Sequence, residues 1–175
     1  MKTVISSLVL AIFSVVGCGV ETNTIDVKPP INSISPVDKV VLLSIPSSIP
    51  ATPGQPVIAP ISIDDVTGVK AATFDVYYDA SLLSLSSDNI SFAELWTSEN
   101  GWSMLANVVR PGRLRIGMSN PEATETGGGV IINVAFTVLP EAVRGLTALD
   151  IEHASRRNSE DGFFFIQSDG SIAIN

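Results

Sequence analysis

An all-β sandwich is the fold class this sequence predicts, and three observations predict it. Short runs of β-branched and aromatic residues recur from about residue 38 to the end. Pro, Gly, Asn and Asp punctuate them at the spacing of strands and turns. Within the best-formed runs, apolar residues alternate with a period of two, which is the strand periodicity. With 45% hydrophobic and 16% charged residues in a chain of 175, there is apolar surface for one core of ordinary size and too little charge for disorder.

The elements number about nine. Residues 40–45 form a continuous apolar run, which Pro46, Pro50, Pro53 and Gly54 then interrupt. Residues 57–63 alternate before Asp64, Asp65 and Gly68 turn the chain. Residues 71–78 are the most informative strand. Their alternation sends Ala72, Phe74, Val76 and Tyr78 to the core and Ala71, Thr73, Asp75 and Tyr77 to the other face. Asp79 to Ser81 turn the chain, and Leu82, Leu83 and Leu85 begin another strand. The stretch 91–104, with Trp96 and Trp102, is irregular and includes a short helical turn over 92–96. Residues 106–109 and 113–118 form a hairpin about Pro111 and Gly112. After three glycines at 127–129, residues 130–139 make the longest strand and 146–153 the next. Asp169-Gly170 predicts a final hairpin between 163–167 and 171–174.

The first residues lie outside that domain. Lys2 precedes a mostly apolar stretch over 4–16, too short to span a bilayer comfortably and followed at once by Gly17 and Cys18. This is an export signal, and Val15-Val16-Gly17-Cys18 resembles the lipobox of bacterial lipoproteins, in which the Cys is acylated and becomes the first mature residue. Alternative readings are an ordinary secretory signal with a Cys near its cleavage site, or a retained anchor helix. Diacylglycerol on Cys18 with an added amide-linked chain supplies the multiple acyl chains that stable anchoring requires. Gly19, where Asp would hold the protein at an inner membrane, points to the outer membrane in a cell that has one. Residues 18–37 carry three prolines and no periodicity and read as a tether. The organisation expected is therefore a signal over 1–17, a lipidated linker over 18–37 and one domain over 38–175.

Composition removes several functions. A net charge of -8 and a pI near 4.4 repel phosphate backbones, so nucleic acid is not an expected partner. One His and one Cys supply neither a zinc cluster nor a disulfide framework. Asp64, Asp65, Asp161 and Asp169 lack the spaced pattern of a calcium loop, and no metal site is expected. Glu94, Glu99, Glu122 and Glu125 fall in loops with no evident cleft, and His153, read as a polar residue at a strand end, has no nucleophile elbow to serve. No catalytic residue is assigned.

The order PGQPVIAPISIDDVTGV, AATFDVYYDASLLSL, GRLRIGMS, GGGVIINVAFTVL and a closing DGSIAIN resembles a bacterial cohesin domain over roughly 38–175. Its most specific piece runs over 74–83, with Tyr78-Asp79 closing the strand. Ala80 departs from the family, which usually has Pro there, and the loop over 119–129 is not distinctive. The resemblance implies a nine-stranded sandwich of jelly-roll topology, similar to certain cellulose-binding modules. It also implies a receptor role: cohesins bind dockerins, small calcium-loaded helical modules fused to glycoside hydrolases and other extracellular enzymes. Calcium belongs to that partner, and no cofactor is expected on this chain.

In type I members the dockerin helix lies on the sheet of the third, fifth, sixth and eighth strands, and outward residues of the third contribute hydrogen bonds. The resemblance carries that role to Ala71, Thr73, Asp75 and Tyr77. The first two lack the Asn and Asp of well-studied members, so the type I specificity code does not transfer. Asp75 and Tyr77 are the expected exposed polar contacts with Thr73 beside them, and Asn107, Arg113 and Arg115 are rim contacts on neighbouring strands. A merely solvated sheet face is the plainer reading of the same residues. The rival function is a carbohydrate-binding module with polysaccharide as the ligand. Trp96 and Trp102, six apart, would make its short platform, although a core-capping role under their loop is the plainer reading. The function expected is a surface receptor, held to the membrane by Cys18, that captures a dockerin-bearing protein.

Overall fold

The computed structural model describes residues 39–93, 95–157 and 163–175. Cys18, the export signal and the tether lie outside the described residues, as do Glu94 and Asp161.

Twelve strand segments occur among the described residues: β1 Lys39–Ser44, β2 Ile49–Ala51, β3 Pro56–Ile63, β4 Ala71–Tyr78, β5 Leu83–Ser84, β6 Ile90–Phe92, β7 Ser103–Arg110, β8 Arg113–Ser119, β9 Gly129–Val138, β10 Gly145–Arg157, β11 Phe163–Ser168 and β12 Gly170–Ile174. The sequence count of about nine is smaller because β2 and β6 have only three residues each, too few to show a period, while the strand expected from Leu82 is β5 with two residues. One sheet runs β11-β1-β3-β9-β5, with β6 also on β9, and the other runs β2-β12-β10-β4-β8-β7. The pairs β1–β11 and β2–β12 are parallel.

Alternation builds the core between them. On β4, Ala72, Phe74, Val76 and Tyr78 are buried, as period two requires, and they meet Leu114, Ile116 and Met118 of β8 and Leu149 and Ile151 of β10. Val57, Ala59, Ile61 and Ile63 of β3 and Ile132, Val134, Phe136 and Val138 of β9 face them from the other sheet. The Pro111-Gly112 turn forms as expected between β7 and β8. Its glycine has φ +87°, a left-handed conformation that costs a side-chain-bearing residue strain.

Three local expectations are corrected. The helical turn expected over 92–96 is absent from its described residues: Ile90–Phe92 pairs with β9, and the Ala93 and Leu95 amides continue onto the Ile131 and Val130 carbonyls. A 3₁₀ turn sits earlier, at Ser87–Asn89, where the Ser86 hydroxyl accepts from the Asp88 amide. The longest strand is β10, with 13 residues, not β9, with 10, because a bulge between Glu152 and Ser155 carries β10 past its expected end. Finally, β11 and β12 are not a hairpin. β11 lies parallel to β1 in one sheet and β12 antiparallel to β10 in the other, so Asp169 and Gly170 mark a crossing between sheets. Asp169 Oδ1 accepts the Ile151 amide at 2.8 Å. Gly170 is absent from the positive-φ glycines; its missing side chain leaves room for Ile45 and the Pro46 carbonyl.

Candidate functional site

Strand pairing brings all six residues expected at a partner-binding site onto one surface, the outer face of the β10-β4-β8-β7 part of the second sheet. One transverse row runs Glu152, Asp75, Arg115, Asn107, because these are directly paired across β10, β4, β8 and β7. The row on one side is Asp150, Tyr77, Arg113 and Arg110, and on the other Ser155, Thr73, Gly117 and Leu105. Thr73, Asn107 and Arg115 are exposed, and Ala71, Tyr77 and Arg113 are half-buried.

Asp75 is the correction. Expected as an exposed contact, it is 0% exposed, although its side chain starts on the outer face. Two guanidinium groups cover it. Arg115 donates from Nε to Oδ1 at 2.8 Å and from Nη2 to Oδ2 at 3.0 Å, and Arg113 Nη2 donates to Oδ2 at 2.7 Å. His153 Nδ1 lies 3.4 Å from the same Oδ2. The Arg115 hydrogen bond, foremost, and the Arg113 bond hold the Asp75 carboxyl below its usual range against the opposing effect of burial. The same contact pushes Arg115 further up. Arg113 also lies over the Tyr77 ring at 5.7 Å, so the cluster continues into the aromatic row.

Sequence reasoning missed three participants. His153 has φ 54° in the β10 bulge, which places its ring 6.4 Å from that of Tyr77; a bulge leaves no periodic signal. Leu105 is 76% exposed near the start of β7, two residues before Asn107, the first outward position expected in that strand. Asp150 faces Tyr77 and is pushed up by burial first, then by Asp169 and Glu152.

The tryptophans of the rival reading are interior. Trp96 and Trp102 are 0% and 3% exposed and stack with ring centroids 3.9 Å apart. Trp102 Nε1 donates to Glu125 Oε1 at 3.1 Å, so that carboxylate secures a packed loop. Asp64 and Asp65 likewise accept backbone amides, from Leu42 and Thr67.

A family model for the cohesin domain matches residues 43–157, and the chain belongs to the cohesin family. Among solved structures it is similar to the cohesin CaCohA2 of Clostridium acetobutylicum, at 22% identity and a TM-score of 0.65 over 79% of this chain and 92% of that one. It is also similar to the OlpC cohesin–dockerin complex of Clostridium thermocellum, at 12% identity and a TM-score of 0.68 over 79% and 95% of the two chains. A non-cellulosomal cohesin from the archaeon Archaeoglobus fulgidus matches at 16% identity and 0.64 over 77% and 91%. At these identities the likeness is one of fold. No curated protein matches the chain.

Proposed function

We propose that this chain is a non-catalytic receptor that binds a dockerin-bearing protein, such as a polysaccharide-degrading enzyme, through the outer face of β10-β4-β8-β7, and holds it at the cell surface by a lipid on Cys18. Cohesin-family membership supports the receptor role, and the similar OlpC structure is itself a cohesin–dockerin complex. The observation that carries the choice of face is its ordering before any partner arrives. Asp75 locks Arg113 and Arg115 against the sheet, so their side chains lose little further freedom on docking. Leu105 stands exposed beside them as apolar surface that a partner would remove from water. The polysaccharide alternative loses its aromatic platform to the core, since both tryptophans are buried.

Calorimetric titration of the full chain in detergent with dockerin modules from the same genome tests this, in calcium and then in EDTA, beside a pull-down on insoluble cellulose. Saturable one-to-one binding that requires calcium is expected, together with no retention on cellulose. Retention on cellulose without any dockerin binding would overturn the receptor reading. For the anchor, mass spectrometry of the mature N-terminus should find acyl chains on Cys18, and Cys18→Ser should release the protein from membranes.

A further inference from the structure

The docking face is electrically divided. Along β10 it carries Asp150 and Glu152, while Arg110, Arg113 and Arg115 cluster across the β7–β8 hairpin. That hairpin holds three of the chain's 10 Lys+Arg residues within six positions of sequence, in a protein of net charge -8. Among the described residues, Asp75 is the one acidic side chain hydrogen-bonded to Arg113 and Arg115, so its negative charge is shared between two guanidiniums. Arg115 uses two of its roughly five N–H donors on Asp75, and its side chain is 49% exposed.

The geometry points to a partner that presents a carboxylate to Arg113 and Arg115, so that this receptor selects dockerins bearing an Asp or Glu at the centre of the contact. The inference rests on the receptor reading above. Asp75 is then a positioning residue: it holds the two forks flat and leaves their outer donors for the partner. Planar guanidinium groups suit this because they meet carboxylates through paired, directional bonds. The chain's overall negative charge repels an acidic partner everywhere else, so the hairpin also orients its approach.

The neighbouring row adds a second requirement. Gly117 lies between Thr73 and Leu105, and its lack of a side chain opens a shallow hollow of about 370 Å³ also lined by Ala71, Ser103 and Met118. Outward positions on one strand are about 6.7 Å apart, close to the roughly 6 Å rise of four helical residues. In a partner helix laid along β8, an apolar residue one turn from the carboxylate would reach the hollow.

The test titrates the full chain and its Arg113→Gln, Arg115→Gln and Arg144→Gln variants with the dockerin modules that bind the unaltered protein. Thermal melts accompany each variant to establish that it is folded. Each of the first two substitutions should weaken binding about tenfold or more, a change that corresponds to the loss of one buried charged hydrogen bond. Arg144→Gln, at an exposed position preceding β10 and outside these rows, should change nothing. Rising salt should weaken the unaltered complex more than the Arg115→Gln complex. Arg115→Glu should be rescued by changing the dockerin's contacting Asp or Glu to Lys. Dockerin binding unaffected by Arg113→Gln and Arg115→Gln would overturn this inference while leaving the receptor reading intact. No binding of any dockerin to the unaltered chain would overturn both.

Discussion

Arg115 grips Asp75 side-on, with Nε on one carboxylate oxygen at 2.8 Å and Nη2 on the other at 3.0 Å, from a directly paired position on the neighbouring strand. A second fork, Arg113, closes on the same carboxylate. The arrangement buries an acid on a sheet surface that period two alone would leave wet.

Removing that acid should cost stability. Asp75→Asn keeps the shape but leaves two guanidiniums facing a neutral amide. Breaking a fully buried pair costs about 3–5 kcal/mol. With the Arg115 side chain 49% exposed, solvent screens much of the loss, and about 1–2 kcal/mol is expected. Urea denaturation of the variant against the parent reads this directly, and an unchanged midpoint would show that the cluster contributes nothing to the fold.

The same pair sets an acid dependence. A carboxyl held below its unfolded pKa, as Asp75 is, stabilises the fold above about pH 4. That contribution is lost as pH falls through the folded value. Asp150 is shifted the other way: its charged form is penalised in the fold, so its contribution improves as pH falls. Melting temperatures from pH 7 to pH 3 should therefore drop less for Asp75→Asn than for the parent, and Asp150→Asn should raise the melting temperature at pH 7.

Leu105 separates binding from folding. At 76% exposure it contributes little to the core, so Leu105→Ser should change stability by no more than about 0.5 kcal/mol. Its position beside the hollow predicts a weakened dockerin complex, by about 1 kcal/mol for the apolar area no longer covered. A calorimetric titration in which Leu105→Ser binds as tightly as the parent would remove it from the interface.

Two glycines should respond oppositely to the same change. A methyl at Gly170 would run into Ile45 and the Pro46 carbonyl, where backbone has no room to yield, and Gly170→Ala should cost about 2 kcal/mol or more. At Gly117 the nearest atom to a methyl is Thr73 Oγ1 at 3.7 Å, an ordinary contact. Gly117→Ala should fold normally while partly filling the hollow. Thermal melts of the two variants side by side check the contrast.

Alternation along the chain determined which apolar residues of β3, β4 and β8 enter the core, because burial between two sheets selects every second side chain whatever the pairing partners are. The same residues carried the cohesin likeness and the outward set containing Thr73, Asp75 and Tyr77. The Pro111-Gly112 hairpin was legible because a tight turn is a local event. Tertiary structure alone decided the rest. Asp75 is buried because Arg113 and Arg115, 38 and 40 residues away, are brought beside it by β4–β8 pairing, and no local pattern encodes that register. His153 joins them through a bulge that breaks the period by which strands are read. Asp169-Gly170 carries a hairpin's residues but crosses between sheets, since the space against Ile45 and Pro46 exists only once both sheets have packed.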